Sequence, residues 1–227
     1  MIVLGIIPAR GGSKAIPLKN IKELCGKPLL EYTIESAKRS GCIDRLVVST
    51  DHRGIADLAA RCGAEVVMRP EELSKDDSPT EPALIHVLDE MKRLEGFDPD
   101  VVLTLEPTSP LRSASLIKRG VEIFRSPGYD SVIGVVESRS CYGRIRDGEF
   151  EFLFPGQSRR RQEREPLYRE SGTIYGTRTA ALRRKRSVIG DNVYPLIIPE
   201  SEAIDINTQA DLKLAEALIN MRGNRMP

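Results

Sequence analysis

The sequence predicts an α/β fold built on a doubly wound, mostly parallel β-sheet. The first residues that indicate it are the apolar run at 2–7, whose near-continuous pattern is typical of a strand covered on both faces. Similar runs at 45–50 and 100–105 are separated by segments with helical spacing, as in right-handed βαβ units. Unusual polar residues follow these runs, at the sheet edge where such folds bind ligands. We therefore expect a single domain over residues 1–227 with its site at that edge.

Composition favours a cytoplasmic enzyme. The 227 residues are enough for one α/β domain with a sizeable core. The net charge of +1 predicts no nucleic-acid or membrane partner. The four cysteines are far apart without a CxxC pair, which predicts reduced thiols. The N-terminus has no signal-peptide pattern, and no apolar run approaches the roughly 20 residues that span a bilayer.

The loop after the first strand has the composition of a phosphate-binding loop. Pro8 ends the strand, and a Gly-Gly-Ser segment lets backbone N–H groups approach an anion, with Arg10, Lys14 and Lys19 close by. Neither the P-loop motif nor the G-x-G-x-x-G motif fits. Many cations at one loop suit a nucleoside triphosphate attacked at its α-phosphorus. The alternative is a surface loop with solvated charges.

The first helices follow from local signals. Pro28 and Gly41 flank a periodic apolar segment, which predicts a helix over 29–40. Asp51 follows the second strand, where it would cap the helix at 55–62 or face a ligand. We favour the cap, because Asp is a common N-cap residue.

The rest of the sheet continues the alternation. Thr80 is the expected N-cap of a helix. The turn at 106–112, EPTSPLR, contains two prolines that would make it rigid and leave its hydroxyls and a cation exposed. The remaining predicted strands and helices are 65–68, 83–94, 113–124, 131–136, 193–198 and 208–220.

Residues 138–170 break this pattern and predict an inserted arm. They lack helical periodicity, and RIRDGEFEF indicates a β-hairpin that turns at Asp147-Gly148. Such a segment cannot bury itself in the parent core. We therefore predict that the arm packs on a second copy of the chain, giving a homodimer.

Residues 159–186 contain ten basic residues, which is also the pattern of a nucleic-acid site. A strand-like GTIYGT interrupts the cluster, and the chain as a whole is charge-balanced. An acidic sugar and a triphosphate explain some of these arginines more simply. We interpret the run at 183–186 as a solvated helix end.

The segment before the last helix predicts a metal site. Thr208 and Asp211 have capping-box spacing, so we assign Asp211 to capping. Asp205 has no such explanation. A carboxylate beside a triphosphate needs a divalent cation between them, which predicts Mg²⁺ or Mn²⁺ at Asp205.

Several ordered motifs together resemble the N-acylneuraminate cytidylyltransferases. These enzymes make CMP-sialic acid from CTP and a nine-carbon 2-keto acid sugar. The resemblance covers nearly the whole chain and implies a fold of the nucleotide-diphospho-sugar transferase type. The motifs are PARGGSKAIPLKNI at 8–21, VSTD at 48–51, RP at 69–70, LEPTSPLR at 105–112, SGTIY at 171–175 and AIDINTQADL at 203–212.

The resemblance implies a role for particular positions. Those with a catalytic role are Arg10, Lys19 and Asp205. Those near the nucleotide are Ala9, Arg10, Gly11, Lys19, Asn20, Arg69 and Thr80. Those near the sugar are Glu106, Thr108, Arg161, Arg169 and Tyr175, and the metal positions are Asp205 and Asn207. The family also implies that the arm reaches toward the neighbouring subunit's sugar site.

The implied reaction is attack of the sugar's anomeric 2-hydroxyl on the α-phosphorus of CTP, with release of pyrophosphate. Three departures from the family pattern lie on the acceptor side: Glu106 replaces a common Gln, Asn207 replaces an Asp, and 138–146 lacks a His-Pro element. Glu106 suggests an acceptor with a hydroxyl or amino group that donates to a carboxylate. The alternatives are a nucleotidyltransferase for another triphosphate and a sugar 1-phosphate, and a non-catalytic nucleotide-binding module.

Overall fold

A seven-stranded sheet forms the centre of the molecule. The computed structural model describes residues 1–12, 15–75 and 78–223. In chain order the strands of the sheet are β1 Val3–Pro8, β4 Arg45–Thr50, β5 Glu65–Met68, β6 Val101–Thr104, β7 Ser131–Ser138, β10 Leu167–Arg178 and β11 Val193–Ile197. Two short hairpins supply the others: β2 Glu23–Leu24 with β3 Lys27–Pro28, and β8 Gly143–Arg146 with β9 Glu149–Phe152. The helices are α1 Leu29–Ser40, α2 Arg53–Arg61, α3 Thr80–Glu95, α4 Ala114–Glu122, α5 Thr179–Lys185 and α6 Gln209–Gly223.

The sheet is mostly parallel, which confirms the predicted class. Its strand order is β11-β7-β10-β6-β1-β4-β5. Strand β10 is antiparallel to both of its neighbours, and the other pairs are parallel. The carboxyl ends of β1, β4 and β6 therefore lie at one edge, as a ligand site of this fold requires.

Helices cover both faces of the sheet, so it is doubly wound. Ile7 of β1 packs in one core cluster with Ile34 of α1 and residues of α2 and α4. The neighbouring residue Ile6 faces the other way and packs with Leu84 of α3. Because adjacent strand residues point to opposite faces, an apolar run without alternation is what this arrangement requires.

A third apolar cluster connects the two ends of the chain. Ile16 of the first loop packs with Ile206 and with Leu212 of α6, and all three are buried. Burial of each such side chain contributes roughly 1.5–3 kcal/mol. This cluster holds the segment before α6 against the loop after β1.

Several helix ends lie where the sequence predicts them. Helix α1 ends before Gly41, whose φ is 63°. At the start of α4 the Ser113 hydroxyl accepts a hydrogen bond from the Leu116 N–H at 3.2 Å. The capping box before α6 is reciprocal: the Thr208 N–H donates to Asp211 Oδ2 at 2.7 Å, and the Asp211 N–H donates to Thr208 Oγ1 at 3.3 Å.

Two predicted caps are wrong. Helix α3 begins at Thr80 itself, and its N-cap is Pro79, so the Thr80 hydroxyl caps nothing. The N-cap of α2 is His52, and Asp51 binds elsewhere. In both cases a residue of a type that commonly caps helices lies at the carboxyl edge of the sheet and does not cap the helix that follows it.

The arm forms the predicted hairpin. Asp147 and Gly148 have φ values of 52° and 85°, the left-handed conformations that a two-residue hairpin turn requires. Its apolar side chains are open to solvent, with Ile145 78% and Phe150 58% exposed. Packing of the arm on a second copy stays a prediction.

The run of cations at 183–186 is largely paired. Arg183 forms an ion pair with Asp89 at 2.6 Å, and Arg184 forms one with Asp191 at 2.6 Å.

All four cysteines are free thiols. Over the described ranges, none of the helices combines the length and apolar character that crossing a membrane demands.

Candidate active site

A cavity of about 240 Å³ opens at the carboxyl ends of β1 and β6 and is rich in cations. We call it the first cavity. Arg10, Lys19, Arg69 and Lys75 line it, and Glu106 is the one carboxylate among its described lining residues. Gly12, Asn20, Thr80 and Thr108 also contribute to its wall. The loop after β1 therefore faces a space suited to a polyanion.

The second parallel strand holds this loop in place. The Ala9 N–H donates to the main-chain oxygen of Ser49 at 2.9 Å, and the Gly11 N–H donates to Asp51 Oδ1 at 2.9 Å. A side chain at Gly11 would lie 2.8 Å from the Cβ of His52, so only glycine fits there. The Asp51 carboxylate thus positions the loop instead of capping α2.

Arg10 and Arg69 both line the first cavity. Arg10 Nη1 donates to the main-chain oxygen of Lys75 at 2.8 Å, and the Asn20 amide donates to the Arg10 carbonyl at 2.9 Å. Arg69 is 8% exposed, and its Nε has no hydrogen-bond partner in the described structure. Burial lowers the pKa of Arg69, and the nearby Asp51 opposes this shift. A buried guanidinium with an unused donor suits an anionic ligand.

Lys19 meets the segment before α6. Its Nζ donates to the main-chain oxygen of Ile206 at 2.8 Å and lies 3.4 Å from Asn207 Oδ1. Burial lowers the pKa of Lys19, and Asp205 is the charge that most strongly raises it again. The opening loop and the last acidic segment are therefore brought to one place.

Asp205 has an oxygen suited to a metal ion. Its Oδ2 accepts from the Asn207 amide at 2.7 Å, while its Oδ1 is buried without a partner in the described structure. Mg²⁺ is commonly held by one or two carboxylates together with phosphate oxygens and water, so this carboxylate fits it. The Asn207 oxygen faces Lys19, so ligation by Asn207 stays a prediction. No cluster of three or more acidic, His or Cys side chains suited to a metal occurs among the described residues.

The turn after β6 is fixed by a buried cation, which corrects the expectation of an exposed one. Arg112 is 2% exposed. It donates to the main-chain oxygen of Glu106 at 2.6 Å, to the Thr33 hydroxyl at 3.3 Å and to the main-chain oxygen of Thr173. The Ile206 N–H donates to the main-chain oxygen of Thr108 at 2.9 Å, which attaches the segment before α6 to the same turn.

A second cavity of about 280 Å³ adjoins the first and shares Thr80 and Glu106 with it. Tyr175 lines this second cavity, and its hydroxyl donates to Glu170 Oε1 at 2.7 Å. Burial raises the pKa of Glu106 to about 7, although Arg112 opposes the shift. Two neighbouring cavities, one basic and one acidic, can hold two different reactants.

The family follows from the sequence comparison. Residues 4–190 match the family model described as cytidylyltransferase. The chain belongs to the cytidylyltransferase family. Its members transfer a nucleotidyl group, so this chain is a nucleotidyltransferase.

Relatives of this cytidylyltransferase include three named enzymes. It is 35% identical to the CMP-N,N'-diacetyllegionaminic acid synthase of Legionella pneumophila, with 97% of each chain covered. It is 29% identical to the pseudaminic acid cytidylyltransferase of Campylobacter jejuni, with 95% of each covered. It is 32% identical to an N-acylneuraminate cytidylyltransferase of Streptococcus agalactiae over 91% of this chain but only 50% of that enzyme, so it spans about half of that relative.

Solved structures share the fold of this cytidylyltransferase. A CMP:2-keto-3-deoxy-manno-octonic acid synthetase complexed with CTP superposes with a TM-score of 0.70, covering 98% of this chain and 100% of that one at 18% identity. The 4-diphosphocytidyl-2C-methyl-D-erythritol synthase of Anaerococcus prevotii gives a TM-score of 0.68, covering 96% of this chain and 98% of that one at 17% identity. At these identities the likeness shows the fold alone.

Two predicted sugar-binding residues are not part of the walls of either cavity. Arg161 and Arg169 are exposed on the arm and the adjoining part of β10, and neither lines the first or the second cavity. Within one chain of this cytidylyltransferase the structure does not bring them to Tyr175. Their role stays a prediction that depends on a second copy.

Sequence reasoning missed several residues that line the cavities. Lys75 reaches the first cavity from a polar loop, and Glu81 reaches the second from α3. Glu170 and Thr104 also line the second cavity. Thr104 and Glu170 could have been found from their neighbours: Thr104 pairs with Tyr175 across the sheet, and Glu170 follows Arg169 in the sequence. Nothing in the local sequence of Glu81 separates it from an ordinary helix-start carboxylate.

Proposed function

We propose that the protein transfers CMP from CTP to the anomeric 2-hydroxyl of a nine-carbon 2-keto acid sugar and releases pyrophosphate. The observation that carries this proposal is the contact of Lys19 with the 205–207 segment. This contact lies beside the first cavity, which is lined by cations and adjoins the second cavity. The names of the relatives support the substrate class, since they act on legionaminic, pseudaminic and N-acylneuraminic acids. The structure complexed with CTP supports the nucleotide.

The first cavity suits the nucleotide. Arg10 and Lys19 would bind the phosphates, because cations that line one small cavity offset the negative charge of a triphosphate, and Arg69 would lie near the base. Asn20 and Thr80 would contact the base or ribose. Ala9 and Gly11 use their N–H groups within the protein, so they would act by holding the loop close to the nucleotide.

The reaction that these positions would support is an in-line displacement. The sugar hydroxyl oxygen forms a bond to the α-phosphorus, the bond from that phosphorus to the bridging oxygen breaks, and pyrophosphate leaves with its electron pair. The hydroxyl proton passes to solvent. The protein's part is to orient the two reactants and to stabilise the negative charge that spreads over the phosphate oxygens. Lys19 and Arg10 would stabilise that charge.

A divalent cation would be held by Asp205. Its partnerless Oδ1 is the oxygen that fits the ion, with Asn207 as the second candidate ligand. When bound, Mg²⁺ or Mn²⁺ would neutralise phosphate charge and lower the pKa of the attacking hydroxyl.

The second cavity suits the sugar. Tyr175 and Glu106 line it, and Thr108, which lines the first cavity, lies on the same turn as the shared Glu106. We further propose that the protein is a cytoplasmic homodimer, in which Arg161 and Arg169 reach the partner's acceptor and pair with its carboxylate. The exposed Ile145 and Phe150 of the arm support this proposal, because apolar side chains of that size favour burial at an interface.

The experiment combines protein, CTP, Mg²⁺ and a panel of nine-carbon 2-keto acid sugars, with pyrophosphate and the CMP-sugar measured as products. We expect both products in equal amounts with at least one sugar. Replacing CTP by GTP or UTP should abolish release. Failure with every sugar, or equal rates with GTP, would refute the proposal.

A further inference from the structure

The second cavity has an unusual charge for the binding site of an acidic sugar. Three carboxylates line it: Glu81 from α3, Glu106 from the turn after β6 and Glu170 from β10. None of its described lining residues is a cation. In the first cavity the balance is reversed, with four cations and one carboxylate.

Two of these carboxylates have no hydrogen-bond or ion-pair partner among the described residues, although the charges of Arg112, Lys19 and Arg69 act on Glu106. Glu170 accepts the Tyr175 hydroxyl. Glu81 and Glu106, in contrast, make no side-chain hydrogen bond and no ion pair with any described residue. Glu81 has a local explanation, since a carboxylate in the first turn stabilises a helix. Neither Glu106 nor Glu170 has that explanation.

Thr104 gives a second and independent sign of a ligand. It is 2% exposed, its side chain lines the second cavity, and its hydroxyl makes no hydrogen bond with the described residues. A hydroxyl at the cavity wall that has no protein partner can form a hydrogen bond with a bound polar group. Thr104 lies on β6, whereas Glu81 and Glu170 lie on α3 and β10, so the polar groups of this cavity converge from different elements.

These charges restrict how the acceptor can enter. The carboxylate of a 2-keto acid sugar neighbours the anomeric carbon, so it stays near the first cavity, where in the proposed dimer the partner's Arg161 and the partner's Arg169 would pair with it. The opposite end of the sugar must then lie among Glu81, Glu106 and Glu170. A negative group there would be repelled, and a positive group would be stabilised. Val188 and Ile189 complete the wall and would contact the carbon skeleton.

We propose that the second cavity selects an acceptor whose end remote from its carboxylate carries a free amino group, protonated at neutral pH. It would prefer this sugar to the same sugar with an N-acetyl group at that position. The inference rests on the proposed function and specifies its substrate class. The amino group donates to the carboxylates and to Thr104, while the N-acetyl group has one N–H and no charge.

The test compares two matched nine-carbon 2-keto acid sugars that differ only in amino or N-acetyl substitution at that end. KM and kcat are measured for both, and their binding to the CTP-loaded protein is measured by calorimetry. A charge-assisted hydrogen bond to a partly buried carboxylate predicts a KM roughly tenfold lower for the amino sugar. Glu81→Gln and Glu170→Gln should each reduce that ratio, and the amide oxygen introduced by Glu170→Gln would still accept the Tyr175 hydroxyl.

Glu90→Gln is the matched control, because Glu90 lies on the same helix as Glu81 but pairs with Arg93 at the surface. It should leave the ratio unchanged. Turnover of both sugars with equal KM, or a ratio that persists in Glu81→Gln and Glu170→Gln, would overturn the inference and leave the proposed function standing. Pyrophosphate release with neither sugar, and none with any other member of the panel, would overturn both.

Discussion

The Lys19 ammonium donates a hydrogen bond to the main-chain oxygen of Ile206 at 2.8 Å, although the two residues are 187 positions apart in the sequence. The contact lies next to the apolar cluster in which Ile16 packs with Ile206. The packing that joins the loop after β1 to the segment before α6 therefore brings Lys19 close to the Asp205 carboxylate. This relationship is the structural basis of the proposed triphosphate site.

Lys19→Ala should reduce kcat with CTP roughly 100-fold or more, because a positioned charge at the developing oxyanion contributes on that scale. The rate of pyrophosphate release is the measurement. Lys22→Ala is the control, since Lys22 is exposed three positions away, and it should keep wild-type activity. Equal rates for the two variants would contradict the placement of the phosphates.

Asp205→Asn should raise the Mg²⁺ concentration needed for half-maximal rate at least about tenfold, since a neutral amide is a weaker ligand than a carboxylate for a hard cation. A metal titration of the initial rate measures this. Asp57→Asn, a change of the same kind on the exposed face of α2, should leave the titration unchanged. An unchanged metal titration in Asp205→Asn would exclude Asp205 as a ligand of Mg²⁺.

Glu106 should make the folded state less stable as the pH rises. Its pKa is raised from 4.5 to about 7 in the folded protein, so the folded state keeps a proton that the unfolded state releases in this window. The free energy of unfolding of the wild type, relative to Glu106→Gln, should fall between about pH 4.5 and 7 and level off above. The expected change is roughly 3 kcal/mol, since each pKa unit corresponds to about 1.4 kcal/mol. Urea titrations of both proteins at several pH values measure it, and a flat difference would contradict the raised pKa.

Arg112→Met should destabilise the fold by roughly 2–5 kcal/mol, because it leaves buried carbonyl oxygens at Glu106 and Thr173 without a donor. Chemical denaturation gives the value. Lys118→Met on the exposed side of α4 should change stability by less than about 0.5 kcal/mol. A similar small effect for Arg112→Met would mean that the turn does not depend on this cation.

Ile145→Glu should convert the predicted dimer to a monomer, because it places a charge among exposed apolar side chains of the arm. Light scattering after gel filtration reports the mass. Lys118→Met again serves as control. A wild-type protein that is monomeric, or a variant that remains dimeric, would contradict the arm's assignment.

Local signals in the sequence were sufficient for much of the fold. Gly41 marked the end of α1, Asp147-Gly148 marked the hairpin, and Thr208 with Asp211 marked the start of α6. In each case the energetic reason lies within a few neighbouring residues, so the pattern carries the information.

Long-range partners were the features that local signals did not reveal. Asp51 binds Gly11 from another strand, and Arg112 is surrounded by groups from three separate segments. From residue type alone, Asp51 is expected to cap a helix and Arg112 to be a solvated cation. Their actual partners become evident only from the tertiary structure. The proposed role of Arg161 and Arg169 likewise requires a second copy of the chain, which local signals do not reveal.

The most direct test of the central claim is a calorimetric titration of CTP into the wild type and Asp205→Asn, each with and without Mg²⁺. The account predicts that Mg²⁺ tightens CTP binding to the wild type, and that Asp205→Asn loses most of this gain. Absence of CTP binding, or an equal effect of Mg²⁺ on both proteins, would contradict the claim that Lys19 and Asp205 surround one metal-bound triphosphate.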